Sequence, residues 1–201
     1  MSPPLGECDP FRNLIEVTGK TPMSHPETAS PVKLIVSLFS SEKTLLESVI
    51  KQLSHIYGET DWISPEIFFD RTRYYEKEMG WPLYRRFIAF ANLIPPKTLV
   101  AVKLRTNEIE TAFLEDRKRR INIDPGYICL ERLVLATGKN YIHRIYLANG
   151  IYADLTLVFK KGGFAPLSWT YPDYADPKVI AYFNAARSRY LTQLREENPS
   201  D

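Results

Sequence analysis

Residues 120–127 read Arg-Ile-Asn-Ile-Asp-Pro-Gly-Tyr, residues 128–136 Ile-Cys-Leu-Glu-Arg-Leu-Val-Leu-Ala, and residues 141–159 Tyr-Ile-His-Arg-Ile-Tyr-Leu-Ala-Asn-Gly-Ile-Tyr-Ala-Asp-Leu-Thr-Leu-Val-Phe. Short β-branched and aromatic runs alternate with turn-forming residues, the pattern of an antiparallel meander. Asn149-Gly150 is the strongest local signal, because both positions of a two-residue type I′ hairpin need positive φ. Such a turn would set Ala148 opposite Ile151, Tyr146 opposite Ala153 and Arg144 opposite Leu155. Asp124-Pro125-Gly126 reads as a second turn, with Asp capping, Pro fixing φ and Gly supplying the unusual dihedral. The run over 128–136 suits a strand, although Leu130, Leu133 and Val134 also fit a helical period.

Working outward, residues 32–39 form an apolar run that predicts a buried strand. Ser40 or Ser41 then caps a helix, with Glu42 at its positive end. Leu45, Leu46, Val49, Ile50, Leu53 and Ile56 repeat at helical spacing up to Gly58. Residues 62–70 and 86–94 read as strands, and residues 72–80 as a loop or short helical turn. Pro95-Pro96 opens a helix over about 97–114. Gly162-Gly163 breaks the meander and residues 164–175 read as an aromatic, proline-bearing loop. Asp176 and Pro177 start a last helix with Val179, Phe183, Ala186, Tyr190 and Leu194 on one face. The order predicts an α+β fold, a ferredoxin-like βαββαβ start extended by an antiparallel meander and closed by a C-terminal helix. Residues 1–30, rich in Pro, Ser, Thr, Glu and Gly, read as a flexible tail, and residues 31–197 as a single domain.

The chain has 201 residues, 44% hydrophobic and 25% charged, an ordinary composition for a water-soluble fold. A formal net charge of +2 is too small to argue for nucleic acid by itself. Cys8 and Cys129 are far apart, which points away from a disulfide or zinc framework and towards a reducing, cytoplasmic setting. No run approaches the ~20 apolar residues that a membrane helix needs. No phosphate-binding P-loop, Gly-x-Gly-x-x-Gly or Gly-x-Ser-x-Gly motif occurs, so no cofactor is indicated. His25, His55 and His143 are scattered, so no metal site is indicated.

Six runs together are similar to a bacterial family known as domain of unknown function 4416. They are Tyr74-Tyr75 with Glu78-Met79-Gly80; Lys103 with Thr106, Asn107 and Glu110; Asn122 through Tyr127; His143 through Tyr146; Gly150 through Ala153; and Trp169 through Tyr174. The resemblance covers roughly residues 31–195. It implies a bacterial cytoplasmic protein and carries over no catalytic residue.

Candidate site residues come from the meander and its flanks. Hairpin alternation puts His143 on one face with Tyr152, Asp154 and Thr156, and diagonal to Asp154 at about 7–8 Å between backbone positions. A carboxylate beside an imidazole fixes its tautomer, so His143 is a candidate acid/base and Asp154 its orienter. The alternative is a half-solvated face with a hydrogen-bonded histidine. The same alternation points Arg144 away from His143. Asp124 is either a plain turn residue or a second carboxylate beside Lys139 and Arg144. Lys103, Thr106, Asn107 and Glu110 form one helical stripe. That stripe is ordinarily a solvated face; turned to the sheet, it would be a buried network that must be satisfied. Trp169 and Tyr171 belong to a candidate lid or apolar cover.

Three functions are compatible with these residues. The first is a site for a small anionic or phosphorylated ligand, with His143, Asp154 and Asp124 as the reacting groups. Lys139, Arg144, Tyr152, Lys103, Asn107, Glu110, Trp169 and Tyr171 would contact the ligand. The second is an RNA- or ribosome-binding surface built from Arg117, Lys118, Arg119 and Arg120, Arg85-Arg86 and the exposed tyrosines. The third is an interaction partner without a ligand.

Overall fold

The computed structural model describes residues 26–70 and 73–197. Of the expected tail, residues 1–25 lie outside the described residues, and residues 26–30 carry no regular structure. The strands are β1 Val32–Ser40, β2 Thr60–Ile63, β3 Ile67–Phe68, β4 Tyr84–Ile94, β5 Ile121–Ile128, β6 Arg132–Thr137, β7 Arg144–Ala148, β8 Ile151–Lys160 and β9 Gly163–Pro166. The helices are α1 Lys43–Tyr57, α2 Glu76–Met79, α3 Leu99–Ala112 and α4 Pro177–Glu197.

All strands of the described residues join one sheet in the order β2-β4-β1-β5-β6-β8-β7, with β3 on β4 and β9 on β8, and every neighbouring pair is antiparallel. Its first half, β2-β4-β1-β5, is two interleaved βαβ units, each parallel pair split by a strand of the other. The α+β expectation therefore holds, and the meander continues the same sheet.

Alternation along β1 decides the layering. Leu34, Val36 and Leu38 pack with Leu46, Val49, Leu53, Val102 and Ile109 under α1 and α3. Ile35, on the opposite face, packs with Phe87, Leu133, Leu157, Phe183 and Tyr190 under α4. Because both faces are covered, β1 is buried at every residue, and even Lys33 is fully enclosed. Burial pulls Lys33 below the ordinary lysine range, and Asp61 opposes that pull. Its three ammonium protons go to Asp61 Oδ2 at 2.6 Å, the Phe90 carbonyl at 2.9 Å and Gln193 Oε1 at 2.7 Å, which ties α4 to the sheet.

Local chemistry explains most boundaries. Gly58 ends α1 at a φ of 99°. Asp176 Oδ1 accepts from the Lys178 amide and caps α4. Ser40 stays in β1 and its Oγ accepts from the Glu42 amide, so neither serine is the N-cap of α1; Glu42 takes that position. The expected 62–70 strand is split into β2 and β3 at Ser64-Pro65, because proline cannot carry the ladder. Asn149 and Gly150 both have positive φ, 52° and 76°, as the type I′ reading requires. Lys161 and Gly162 repeat that device, so the expected loop begins with a further strand, β9, folded back on β8.

Two expectations about the meander are corrected. Residues 128–136 are not one element: the chain turns at Leu130-Glu131, where the Cys129 amide donates to the Arg132 carbonyl at 3.0 Å. Asp124-Pro125-Gly126 is no turn at all. It lies inside β5, with Ser37, Val36 and Ile35 of β1 opposite. The β5–β6 pairing begins only at Gly126 opposite Leu135 and runs to Ile128 opposite Leu133. Between Ile121 and Pro125 the outer side of β5 has no strand beside it among the described residues. Pro125, which has no N–H to offer, is the last residue of that unpaired half. Gly126 starts the paired half, and a Cβ there would sit 2.3 Å from the Val134 carbonyl oxygen. Gly126→Ala should therefore lower unfolding free energy by about 1–3 kcal/mol in urea titration. A change within about 0.5 kcal/mol would contradict so close an approach of the two strands.

Candidate functional site

The fork between β5 and β6 opens into a cleft of about 790 Å³. Its sides are α3, the segment after β3 carrying Phe69, Tyr74 and Tyr75, the Arg119 connector and the strap over residues 171–174.

In place of the absent strand, α3 satisfies β5 with side chains. Backbone groups of a strand point alternately to its two sides. Those of Ile123 point away from β1 into the fork: its amide donates to Glu110 Oε1, and its carbonyl accepts from Lys103 Nζ at 2.9 Å. The α3 stripe thus faces the sheet, with Thr106 and Lys103 buried and Asn107 and Glu110 half-buried at the cleft wall. This is the buried-network alternative, not the solvated face. Lys103 also lies 3.3 Å from Asp124 Oδ1, and Asn122 Nδ2 donates to Asp124 Oδ2 at 2.6 Å.

Arg119 extends the network. It grips both oxygens of Glu78 at 2.7 Å and donates to Asn122 Oδ1 at 2.9 Å. That fork holds the Glu78 carboxyl below its usual range and Arg119 above its own. Across the cleft, Arg85 pairs with Asp173 of the strap and lies over the Phe69 ring at 4.0 Å. Tyr174, the buried last residue of the strap, has its phenol pushed up by burial.

The hairpin supplies the remaining wall, with one change from expectation. Ala148 does face Ile151, but the register shifts between Tyr146 and Ala148, so Arg144 meets Asp154 instead of Leu155. A bulge of one residue reverses which face the following side chains take. Arg144 is thereby brought to Asp154, donating through Nε to Oδ2 at 2.8 Å. It also donates to the Lys139 carbonyl at 3.0 Å and to the Tyr171 hydroxyl at 2.8 Å. Arg144 is a clamp holding the strap to the hairpin, and its donors are largely used.

His143 Nε2 lies 3.3 Å from Asp154 Oδ2, but not through the expected diagonal pairing: the shifted register sets Asp154 opposite Arg144, and His143 lies one residue before β7. The imidazole, however, is behind Asp154 and does not line the cleft. It is stacked on Trp169 at 5.3 Å and touched edge-on by Tyr141, and its Nδ1 is buried with no partner among the described residues. Trp169, whose Nε1 donates to the Leu155 carbonyl, and Tyr152, which packs on Tyr146, also lie outside the cleft. The other candidates do line it: Asp124, Asp154, Lys139, Arg144, Lys103, Asn107, Glu110 and Tyr171.

Sequence reasoning missed Arg85, Asn122 and Asp173 as cleft residues, and read Arg119, Tyr74 and Tyr75 only as surface. The basic run does not form one free cationic face. Arg119 is turned to the cleft, and Arg120 is paired with Glu42 through two nitrogens. Lys139 differs from the other cleft cations: its side chain is exposed, and no ion pair forms to its ammonium among the described residues.

A family model matches residues 30–190. The chain belongs to the family described as Domain of unknown function (DUF4416). No curated protein and no solved structure matches it. In this DUF4416 chain the matched stretch contains every cleft residue named above. No helix among the described residues is long and apolar enough to cross a membrane.

Glu110 is the carboxyl whose hold on its proton departs most from the ordinary range. Burial raises its pKa from 4.5 to about 7, against the opposing pull of Lys103 and the Ile123 amide, with Asp124 adding to the rise. The folded chain therefore holds this proton more tightly than the unfolded chain. Its contribution to stability is complete below about pH 4.5, falls as pH rises, and is lost above about pH 7. Glu110→Gln keeps an acceptor for the Ile123 amide and removes the buried charge. It should stabilise the protein by about 1–3 kcal/mol at pH 8 and by little at pH 5, read from urea midpoints. An equal effect at both pH values would contradict the assignment.

Proposed function

We propose that the cleft binds a small anionic metabolite, carboxylated or phosphorylated, and that ligand binding there is the function of the chain. The observation that carries this reading is Lys139: an exposed ammonium without an ion pair among the described residues, on the rim of a cleft whose other cations, Arg85, Lys103, Arg119 and Arg144, are each matched by a carboxylate. Paired charges hold a cleft in shape but attract little. One unmatched cation gives an incoming anion something to neutralise.

The size supports the same reading, because about 790 Å³ falls in the range of metabolite pockets. So does the lining. The rings of Phe39, Phe69, Tyr74, Tyr75 and Tyr171 offer apolar area for an organic body, and Lys139, Asn107 and Asp124 add polar groups to the same lining. Arg144 bonds to the Tyr171 hydroxyl, so a ligand under the strap would rest against a surface already fixed.

The test is thermal shift against sugar phosphates, nucleotides, pyrophosphate and di- and tricarboxylates. A ligand of the folded state stabilises it by about 2.7 kcal/mol at a hundredfold excess over its dissociation constant. At least one anion should raise the midpoint, and Lys139→Ala should weaken it by about tenfold or more, the worth of one charged hydrogen bond. No shift from any anion, or a shift untouched by Lys139→Ala, would overturn the proposal.

A further inference from the structure

We propose that Glu110 is the proton-exchanging group of the cleft, and that an oxyanion seated beside it is bound together with a proton. This rests on the anion-binding reading above and names what that site selects: a ligand oxygen able to accept a hydrogen bond from a carboxylic acid.

The geometry begins with how Glu110 is held. Oε1 is committed to the Ile123 amide, which fixes the carboxyl plane against β5. Only Oε1 has a hydrogen-bond partner among the described residues, and Glu110 is part of the cleft wall. One oxygen thus anchors the group and the other is left for a ligand. A backbone amide can donate to either protonation state of the carboxyl, so the anchor survives a change of charge.

The surroundings make that change accessible. The groups that face Glu110 are Lys103 on its own helix, Asp124 and the Ile123 amide on β5, and Arg119 on the connector. Lys103 is shared with Asp124 and the Ile123 carbonyl, so it does not serve Glu110 alone. Burial outweighs these attractions and leaves the group near half-protonated at neutral pH. A second negative charge from a ligand would raise it further, since two anions at close range do not both stay ionised. The protonated Oε2 then donates to the ligand oxygen. A repulsive neighbour becomes a hydrogen-bond donor by taking one proton from solvent.

The other clusters offer less. The smaller cavity lined by Glu66, Asp70, Asp173, Asp176 and Lys178 shows no group of three carboxylate, His or Cys side chains suited to a metal among the described residues. The exposed apolar side chains at β7, Ile145 and Tyr146, with Ile142 just before the strand, carry nothing that names a cover.

Inorganic sulfate is the probe, because it stays a dianion throughout the working range and any proton taken up from solvent must therefore end on the protein. Titration calorimetry in buffers of different ionisation enthalpy counts those protons. For the natural chain at about pH 8, uptake should approach one proton per sulfate, and affinity should fall by up to about tenfold per pH unit above 7. In Glu110→Gln, sulfate should bind with no uptake and with affinity flat from about pH 6 to about pH 9. Sulfate binding to the natural chain without uptake would overturn this inference while sparing the anion-binding reading. Uptake that persists in Glu110→Gln would assign the proton elsewhere and overturn it too. No sulfate binding to the natural chain at millimolar concentrations would remove the inference together with the reading beneath it.

Discussion

Two side chains of α3 do the work of a missing strand. Lys103 accepts responsibility for the Ile123 carbonyl and Glu110 for its amide, where a neighbour in the sheet would ordinarily serve both. A buried peptide group left unpaired costs on the order of 1–3 kcal/mol, so β5 cannot stand beside an open fork without such partners. With them, β6 can leave β5 at Leu135, and the gap becomes a cleft instead of a defect. The cost falls on α3, which must bury charged groups. It is met by sharing: Lys103 serves Ile123 and Asp124, Asn122 serves Asp124, and Arg119 joins Asn122 to Glu78.

The rest of the wall follows the same rule of mutual satisfaction. Arg85 pairs with Asp173, and Arg144 with Asp154 and Tyr171, so each tether on the strap ends on a sheet residue. Pairing of this kind in a low-dielectric setting adds rigidity more than net stability. Among the described residues of the cleft it leaves the Lys139 ammonium without an ion pair and Glu110 Oε2 without a hydrogen bond. The functional reading is built on those two and not on the number of charges.

Much of this fold was legible in the sequence, because its signals were local. The α1 period ended at Gly58, Asp176-Pro177 opened α4, and Asn149-Gly150 closed its hairpin through its own backbone preferences. The failures had tertiary causes. Asp124-Pro125-Gly126 reads as a turn to any local rule, yet here Pro sits where no ladder bond is wanted and Gly where β6 comes closest. The shift between Tyr146 and Ala148 could not be read from the turn, and it alone decided that Arg144 would reach Asp154. His143 lies beside Asp154 from just before β7 and not by the expected same-face diagonal, and hairpin alternation is silent on which side the cleft lies. Eight of the eleven candidate residues line the cleft. Arg85, Asn122 and Asp173 escaped because no short-range pattern marks a charge that finds its partner across the fold. The one available signal for the α3 stripe was its polar face opposite a strand containing proline.

The measurement that bears most directly on this account is amide hydrogen exchange at Ile123. This N–H should be protected although no strand of the described residues lies beside it, with Glu110 as the cause. Glu110→Ala should speed its exchange by about ten- to a hundredfold, the worth of one hydrogen bond to a charged group, while the β1-facing amides of Asn122 and Asp124 keep theirs. Unchanged protection at Ile123 in that variant, or equal loss at all three residues, would contradict the claim that α3 replaces a strand.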